Sequence, residues 1–164
     1  MTSSSPAALI FTPGCDVPRQ VTSVRILPMS DKLKGFCDRS TEEVQAYYFL
    51  DRVPAGKGRF PYRSSGLNAP SGTVVLFQFR ARIIATAVFL RDEKFGRPKA
   101  GHGGVLHFEP DSFQTFDPTD VESVRKAWPR FRGFGHVKQS LNPVMYPAFK
   151  RRLKNVRRFK QKTA

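Results

Sequence analysis

Cysteine is nearly absent from this chain of 164 residues, Cys15 and Cys37 being the only two. Two cysteines cannot build the multi-bridge framework of a small secreted domain, so both are expected as core thiols. Long apolar runs are missing too. The longest apolar stretch lies within residues 72–89 and is interrupted by Gln78, Arg80 and Arg82, which makes it too short and too charged to span a membrane. The opening Met1-Thr-Ser-Ser-Ser-Pro lacks the basic n-region of a secretory signal, and a reducing cytoplasm is the expected location. Acid is the scarcest charge: 13 Asp and Glu stand against 28 Lys and Arg, a formal net charge of +15. At this size such a charge repels itself unless a polyanion offsets it, so nucleic acid is the first partner to expect. An anionic membrane fits less well, because no long basic helix carries a clean apolar stripe.

Catalytic signatures are missing as well. His102, His107 and His136 have no compact ligand spacing and neither cysteine lies near them, so no metal site is expected. Gly101-His-Gly-Gly104 lacks the lysine and hydroxyl of a phosphate loop, although His102 among its glycines is placed to touch a phosphate. Asp111, Asp117, Asp120 and Glu122 form one acidic island, and an island does not establish the convergent carboxylates that nuclease chemistry needs. The reading is a binding protein without a cofactor, not an enzyme.

What is present is a core. Hydrophobic residues make up 40% and aromatics 12%, including 15 Phe. From Gly72 to Phe89 the chain reads as two adjacent β-strands turning at Arg80-Ala-Arg82. Ala7–Thr12, Val21–Leu27, Val105–Phe108 and Ser112–Phe116 read as further strands. A short helix is expected from Ser40 or Thr41 to Leu50, its first-turn Glu42 and Glu43 facing the positive end of the dipole. A second helix follows a cap at Thr119 or Asp120 and stops at Pro129. A last one runs from Tyr146 to Val156 with Phe149, Leu153 and Val156 on its buried side. Residues 53–72 and 91–104 read as Pro/Gly-rich connections. The pattern predicts an α+β protein, a small twisted, partly closed β-barrel with flanking helices. Residues 1–6 would be a flexible N-terminus, 7–156 one domain and 157–164 a basic C-terminal tail.

An irregular stretch of nearly twenty residues beside a hairpin suits recognition. Phe60, Tyr62 and Trp128 are the candidates for stacking on a base. Ser64, Ser65, Asn68 and Gln78 are the candidate donors and acceptors for its edge. Arg59, Arg63, Arg80 and Arg82 are candidate phosphate ligands, and so are Lys150, Arg151, Arg152, Lys154, Arg157 and Arg158 of the C-terminal run. That run supplies affinity and salt dependence with no sequence choice of its own.

Tyr62-Arg-Ser-Ser, Pro70-Ser-Gly-Thr-Val-Val-Leu-Phe and Ile83-Ile-Ala-Thr-Ala-Val together resemble the PUA-like superfamily, nearest to its EVE-like modules that read modified bases. The resemblance covers roughly Phe60 to Leu90, with weaker support from Phe108-Glu-Pro and from Tyr146 to Leu153. It implies a small β-barrel with helices around it and binding to DNA or RNA. It also implies an aromatic-lined pocket for a modified base, rimmed here by Phe60 to Asn68. Such modules occur in modification-dependent restriction systems, fused to or partnered with a nuclease, which would leave cleavage to another domain or chain. The expectation is therefore a reader of a modified DNA base by base flipping. The alternatives are an RNA-binding PUA-like protein without selectivity for modified DNA, a nucleic-acid-processing enzyme, and a protein-interaction module.

Overall fold

The computed structural model describes residues 20–32, 36–63 and 65–159. The architecture is α+β: a mostly antiparallel eight-stranded sheet with helical segments against both faces. The strands are β1 (Val24–Pro28), β2 (Arg59–Tyr62), β3 (Val74–Phe79), β4 (Arg82–Lys99), β5 (His102–Phe108), β6 (Gln114–Thr119), β7 (Gln139–Leu141) and β8 (Arg157–Arg158). Their spatial order is β2-β5-β4-β3-β1-β7, with β6 on β4 and β8 on β6. The sheet is not closed on itself: among the described residues β2 and β7 end this path.

All six residues of β3 are buried, because both of its faces are covered. Val75, Phe77 and Phe79 point into one core with Phe49, Phe108 and Phe113. Val74 and Leu76 point into a second with Phe116, Trp128 and Phe149. The near-continuous apolar run in the sequence is the signature of a strand buried on two sides. The first core is roofed by the segment from Thr41 to Ala55. The second is covered by α3 (Val121–Ala127) and α4 (Tyr146–Arg151).

The roof begins as α1 (Thr41–Glu43), continues as nine π-helical residues, Val44–Arg52, and ends as α2 (Val53–Ala55). Ser40 and Glu43 form a reciprocal capping box: the Ser40 hydroxyl accepts from the Glu43 N–H, and Glu43 accepts from the Ser40 N–H. The helix runs past the expected end at Leu50 and winds wider, the Val53 N–H donating to Tyr48 O. Gln45 anchors it. Its Nε2 donates to Ile84 O at 2.9 Å and to Phe116 O at 2.7 Å, where a register shift interrupts the β4–β6 ladder between Ile83 and Ala85. The side chain thereby satisfies buried carbonyls next to the interruption.

Several expectations are corrected. Residues 53–72 hold β2, an edge strand that pairs with β5 from Arg59↔His107 to Tyr62↔Gly104. Residues 91–104 are the continuation of β4 and the start of β5, joined by a two-residue turn at Ala100 and Gly101, both at positive φ. Polarity and glycine hid these strands because an edge ribbon needs little apolar surface. β6 starts two residues later than expected and runs through Asp117-Pro118 to Thr119. The last helix stops at Arg151, and Val156 is exposed. Of the C-terminal run, Arg157–Arg158 pair with Gln114–Thr115 of β6. Cys37 is exposed and is not a core thiol. Cys15, the strand expected at Ala7–Thr12 and residues 160–164 lie outside the described residues.

Candidate nucleic-acid interface

A concavity of about 800 Å³ is lined by both the π-helical roof and edge strand β2. Val44, Tyr48 and Arg52 recur every four residues and present one helix face to it. Arg59, Phe60, Pro61, Tyr62 and Arg63 of and beside β2 line it too, together with Met29, Phe36, Ser65, His102 and Lys138.

The rings form a graded wall. Phe60 is half-buried and contacts Tyr48, Phe77 and Phe108 at centroid separations of 5.9, 5.5 and 6.2 Å, which makes it a floor continuous with the core. Tyr48 also meets Phe36 edge-on at 5.0 Å, and burial pushes its hydroxyl pKa up to about 12. Tyr47 is the exposed member at 41%, with the Arg39 guanidinium 4.4 Å above its ring. That stacked pair forms part of the cleft lining.

Tyr62 is fixed by its surroundings. Its hydroxyl donates to Asp92 Oδ1 at 2.7 Å, and Asp92 Oδ2 accepts from the Leu67 N–H at 3.2 Å. Desolvation and then the Asp92 bond raise the Tyr62 pKa to about 12, so the hydroxyl stays a donor throughout the physiological range. The ring lies where a side chain on Gly104 would otherwise sit. Tyr62 thus offers a ring and not a free hydroxyl.

Charge in the cleft has one sign. Arg39, Arg52, Arg59, Arg63 and Lys138 line it, and no Asp or Glu does so among the described residues. Lys138 Nζ donates to Ser65 Oγ at 2.9 Å and to Ser65 O at 3.3 Å, tying the loop after β2 to the segment before β7.

The structure thus brings Arg59, Phe60, Tyr62, Arg63 and Ser65 together. Trp128 is elsewhere: it is 5% exposed in the second core, tilted against Phe149 at 5.2 Å, and its Nε1 donates to Asn142 O. Asn68 lines a separate, smaller cavity with Leu90 and Lys94. Gln78 is buried on the second-core face, its Nε2 donating to Gly135 O and its Oε1 without a partner. Ser64 lies outside the described residues. Arg80 sits in the β3–β4 turn, 3.6 Å from Asp31 and stacked on Phe79; its φ of 51° and the 60° of Ala81 make that turn left-handed. Arg82 donates to Thr41 Oγ1. Neither arginine lines the cleft, and neither do Lys150, Arg151, Arg152, Lys154, Arg157 and Arg158, which are exposed along α4 and β8.

Sequence reasoning did not single out Phe36, Arg39, Tyr47, Tyr48, Arg52 and Lys138 as lining residues. The Val44-Tyr48-Arg52 spacing was the available signal, since it sets an aromatic and a cation on one face. Three of the four acids of the island, Asp117, Asp120 and Glu122, are accounted for locally. Asp120 caps α3, accepting from the Ser123 N–H at 2.9 Å; Glu122 pairs with Arg125; Asp117 accepts from Asn155. Among the described residues no three His, Cys, Asp or Glu gather as a metal site, and no helix is long and apolar enough to cross a membrane. The chain matches no protein-family model, and no curated protein or solved structure matches it either, so the cleft itself carries the functional reading.

Proposed function

We propose that the protein is a nucleic-acid-binding reader that takes one extruded, modified base of DNA into the cleft between the π-helical roof and β2. The observation that carries this reading is the lining: five aromatic rings and five cations around about 800 Å³, without a carboxylate among the described lining residues. Aromatic faces stack on any base, and a cationic rim holds the phosphates that come with it. The volume is in the range of about 300–1,000 Å³ typical of small-ligand sites. In this reading Phe60 is the floor, Tyr62 and Tyr47 are the stacking rings, and Arg39, Arg52, Arg59 and Arg63 take the flanking phosphates. The partly closed, barrel-like form of the PUA-like group belongs to the same proposal. The register shifts in β3–β4 and β4–β5 support it, because they bend a sheet that an ideal ladder would leave open. A nuclease partner belongs to it as well, since a reader of this kind marks a site for another activity.

The test is binding to matched DNA duplexes with and without one modified cytosine or adenine, and to a structured RNA, at two salt concentrations. The expected result is a preference for one modified duplex that survives the higher salt. Tyr47→Ala and Tyr62→Ala should each weaken that complex by about 1–3 kcal/mol, the cost of a lost stacking ring. Trp128→Phe should lower stability and leave selectivity intact. Full affinity and selectivity in both tyrosine variants would overturn the reading, and preference for the RNA over every duplex would replace it with RNA binding.

A further inference from the structure

The β4–β5 ribbon carries a feature that the cleft does not account for. Its strands pair regularly from Arg91↔His107 to Lys94↔Gly104 and again at Lys99↔His102, so four residues of β4, Phe95 to Pro98, face one residue of β5, Gly103. So large a mismatch throws the longer strand outward and re-aims its side chains. Lys94, Arg97 and Lys99 are exposed on it. Phe95 is half-buried, and the Lys99 Nζ stands 4.8 Å over its ring, which steadies the bulge without neutralising the ammonium.

The surrounding charge is equally one-sided. No Asp or Glu occurs from Lys94 to Phe108. The two carboxylates just before the bulge are engaged, Asp92 by Tyr62 and Leu67 and Glu93 by His107 at 2.8 Å. The bulge is also tied to the cleft: the Gly103 N–H donates to Arg63 O at 3.1 Å, and His102 lines the cleft itself. Three exposed cations, with no acid in the sequence from Lys94 to Phe108, thereby stand on the ribbon that is tied to Arg63.

We infer that the bulged tip of the β4–β5 ribbon is a phosphate-holding site for the DNA backbone flanking the base in the cleft. The inference rests on the nucleic-acid reading of that cleft and adds to it. The tip supplies backbone grip outside the pocket and has no part in choosing the base. Guanidinium and ammonium groups outside a pocket bind phosphate as sequence-independent charge, and each contact releases counterions.

The experiment compares the parent protein with Lys94→Gln/Arg97→Gln/Lys99→Gln and with the charge-keeping Lys94→Arg/Arg97→Lys/Lys99→Arg. The probes are the modified duplex that the parent prefers, its unmodified match, and the modified nucleoside monophosphate alone. For both duplexes the slope of log affinity against log salt should become less negative by about 2–3 in the glutamine variant, about 0.9 per lost phosphate contact. The charge-keeping variant should retain the parent slope. Affinity for the monophosphate and the modified-to-unmodified ratio should not change. An unchanged duplex slope would overturn the inference, and so would an equal loss on the monophosphate, which would make the tip part of the pocket wall. A parent that shows no modified preference and no monophosphate binding overturns the cleft reading instead, and the duplex slope then judges the tip by itself.

Discussion

Gly104 has no room for a side chain, because the Tyr62 ring and hydroxyl occupy the place where a Cβ would project and Glu93 O lies 2.6 Å from it. Glycine is therefore what allows a tyrosine to lie flat across β5 and reach Asp92. A methyl group there meets backbone on one side and a pinned ring on the other, so the ring must leave. Gly104→Ala is expected to lose about 1–3 kcal/mol of stability, the usual cost of overpacking, together with the preference for a modified base. For a domain of this length each kcal/mol lowers Tm by about 2–4 °C. Gly135→Ala is the matching control, because nothing lies within 4 Å of its added Cβ and it belongs to neither the cleft nor the β4–β5 tip. Thermal unfolding and duplex binding measured on both variants check the expectation; equal behaviour would show that Tyr62 is not held in this way. Residue type alone made Tyr62 a candidate, but its partner Asp92 is thirty residues away, and a pair that far apart is visible only when two strands carry it together.

The π-helical roof and α3 are each held at their starts by a carboxylate. Hydrogen bonds from the Ser40 backbone N–H and side chain hold the Glu43 carboxyl below its ordinary pKa. The Ser123 backbone and side chain do the same for Asp120. A carboxylate whose folded pKa is depressed contributes stability that is complete above its unfolded value, about 4, and is lost as pH falls through the folded value. The free protein is thus expected to lose Tm progressively below about pH 4, with part of that loss absent in Ser40→Ala and in Asp120→Ala. At neutral pH Asp120→Ala should cost about 1 kcal/mol, as a lost N-cap does. Acid melting curves of the three proteins decide this, and identical acid limbs would remove the caps from the account. Both caps were legible, since Ser or Asp before an apolar-periodic run is a local signal. The π-helical winding after the first cap was not, because Gln45 bonds carbonyls of β4 and β6, and those lie far along the chain.

At the scale of the whole molecule the formal charge of +15 acts in two opposite directions. In the free protein it is self-repulsion, which salt screens within a Debye length of about 8 Å at physiological ionic strength. In the complex it is the attraction that salt removes. Raising salt from low to physiological concentration is therefore expected to raise the Tm of the free protein and weaken its binding to any duplex. Thermal unfolding and titration over one salt series test both signs. A Tm that falls with salt would mean that the folded state depends more on surface ion pairs than it suffers from like charge. The exposed cations of α4 and β8 contribute here and not in the cleft.

Composition determined the sign of the net charge, and local pattern determined the buried hairpin, both caps and a segment rich in aromatic, cationic and hydroxyl side chains at Arg59 to Ser65. These follow from terms that are local or summed over the chain: net charge, apolar periodicity and hydrogen bonding within a turn. The tertiary structure alone decided that Trp128 fills a core, that Asn68 and Gln78 face away, and that Arg39, Tyr47, Tyr48, Arg52 and Lys138 join Phe60 and Tyr62 around one space. A cleft is made where surfaces from distant segments fail to close on one another. That depends on register, bulges and the side-chain volumes packed behind each wall, none of which is a property of any single stretch of sequence.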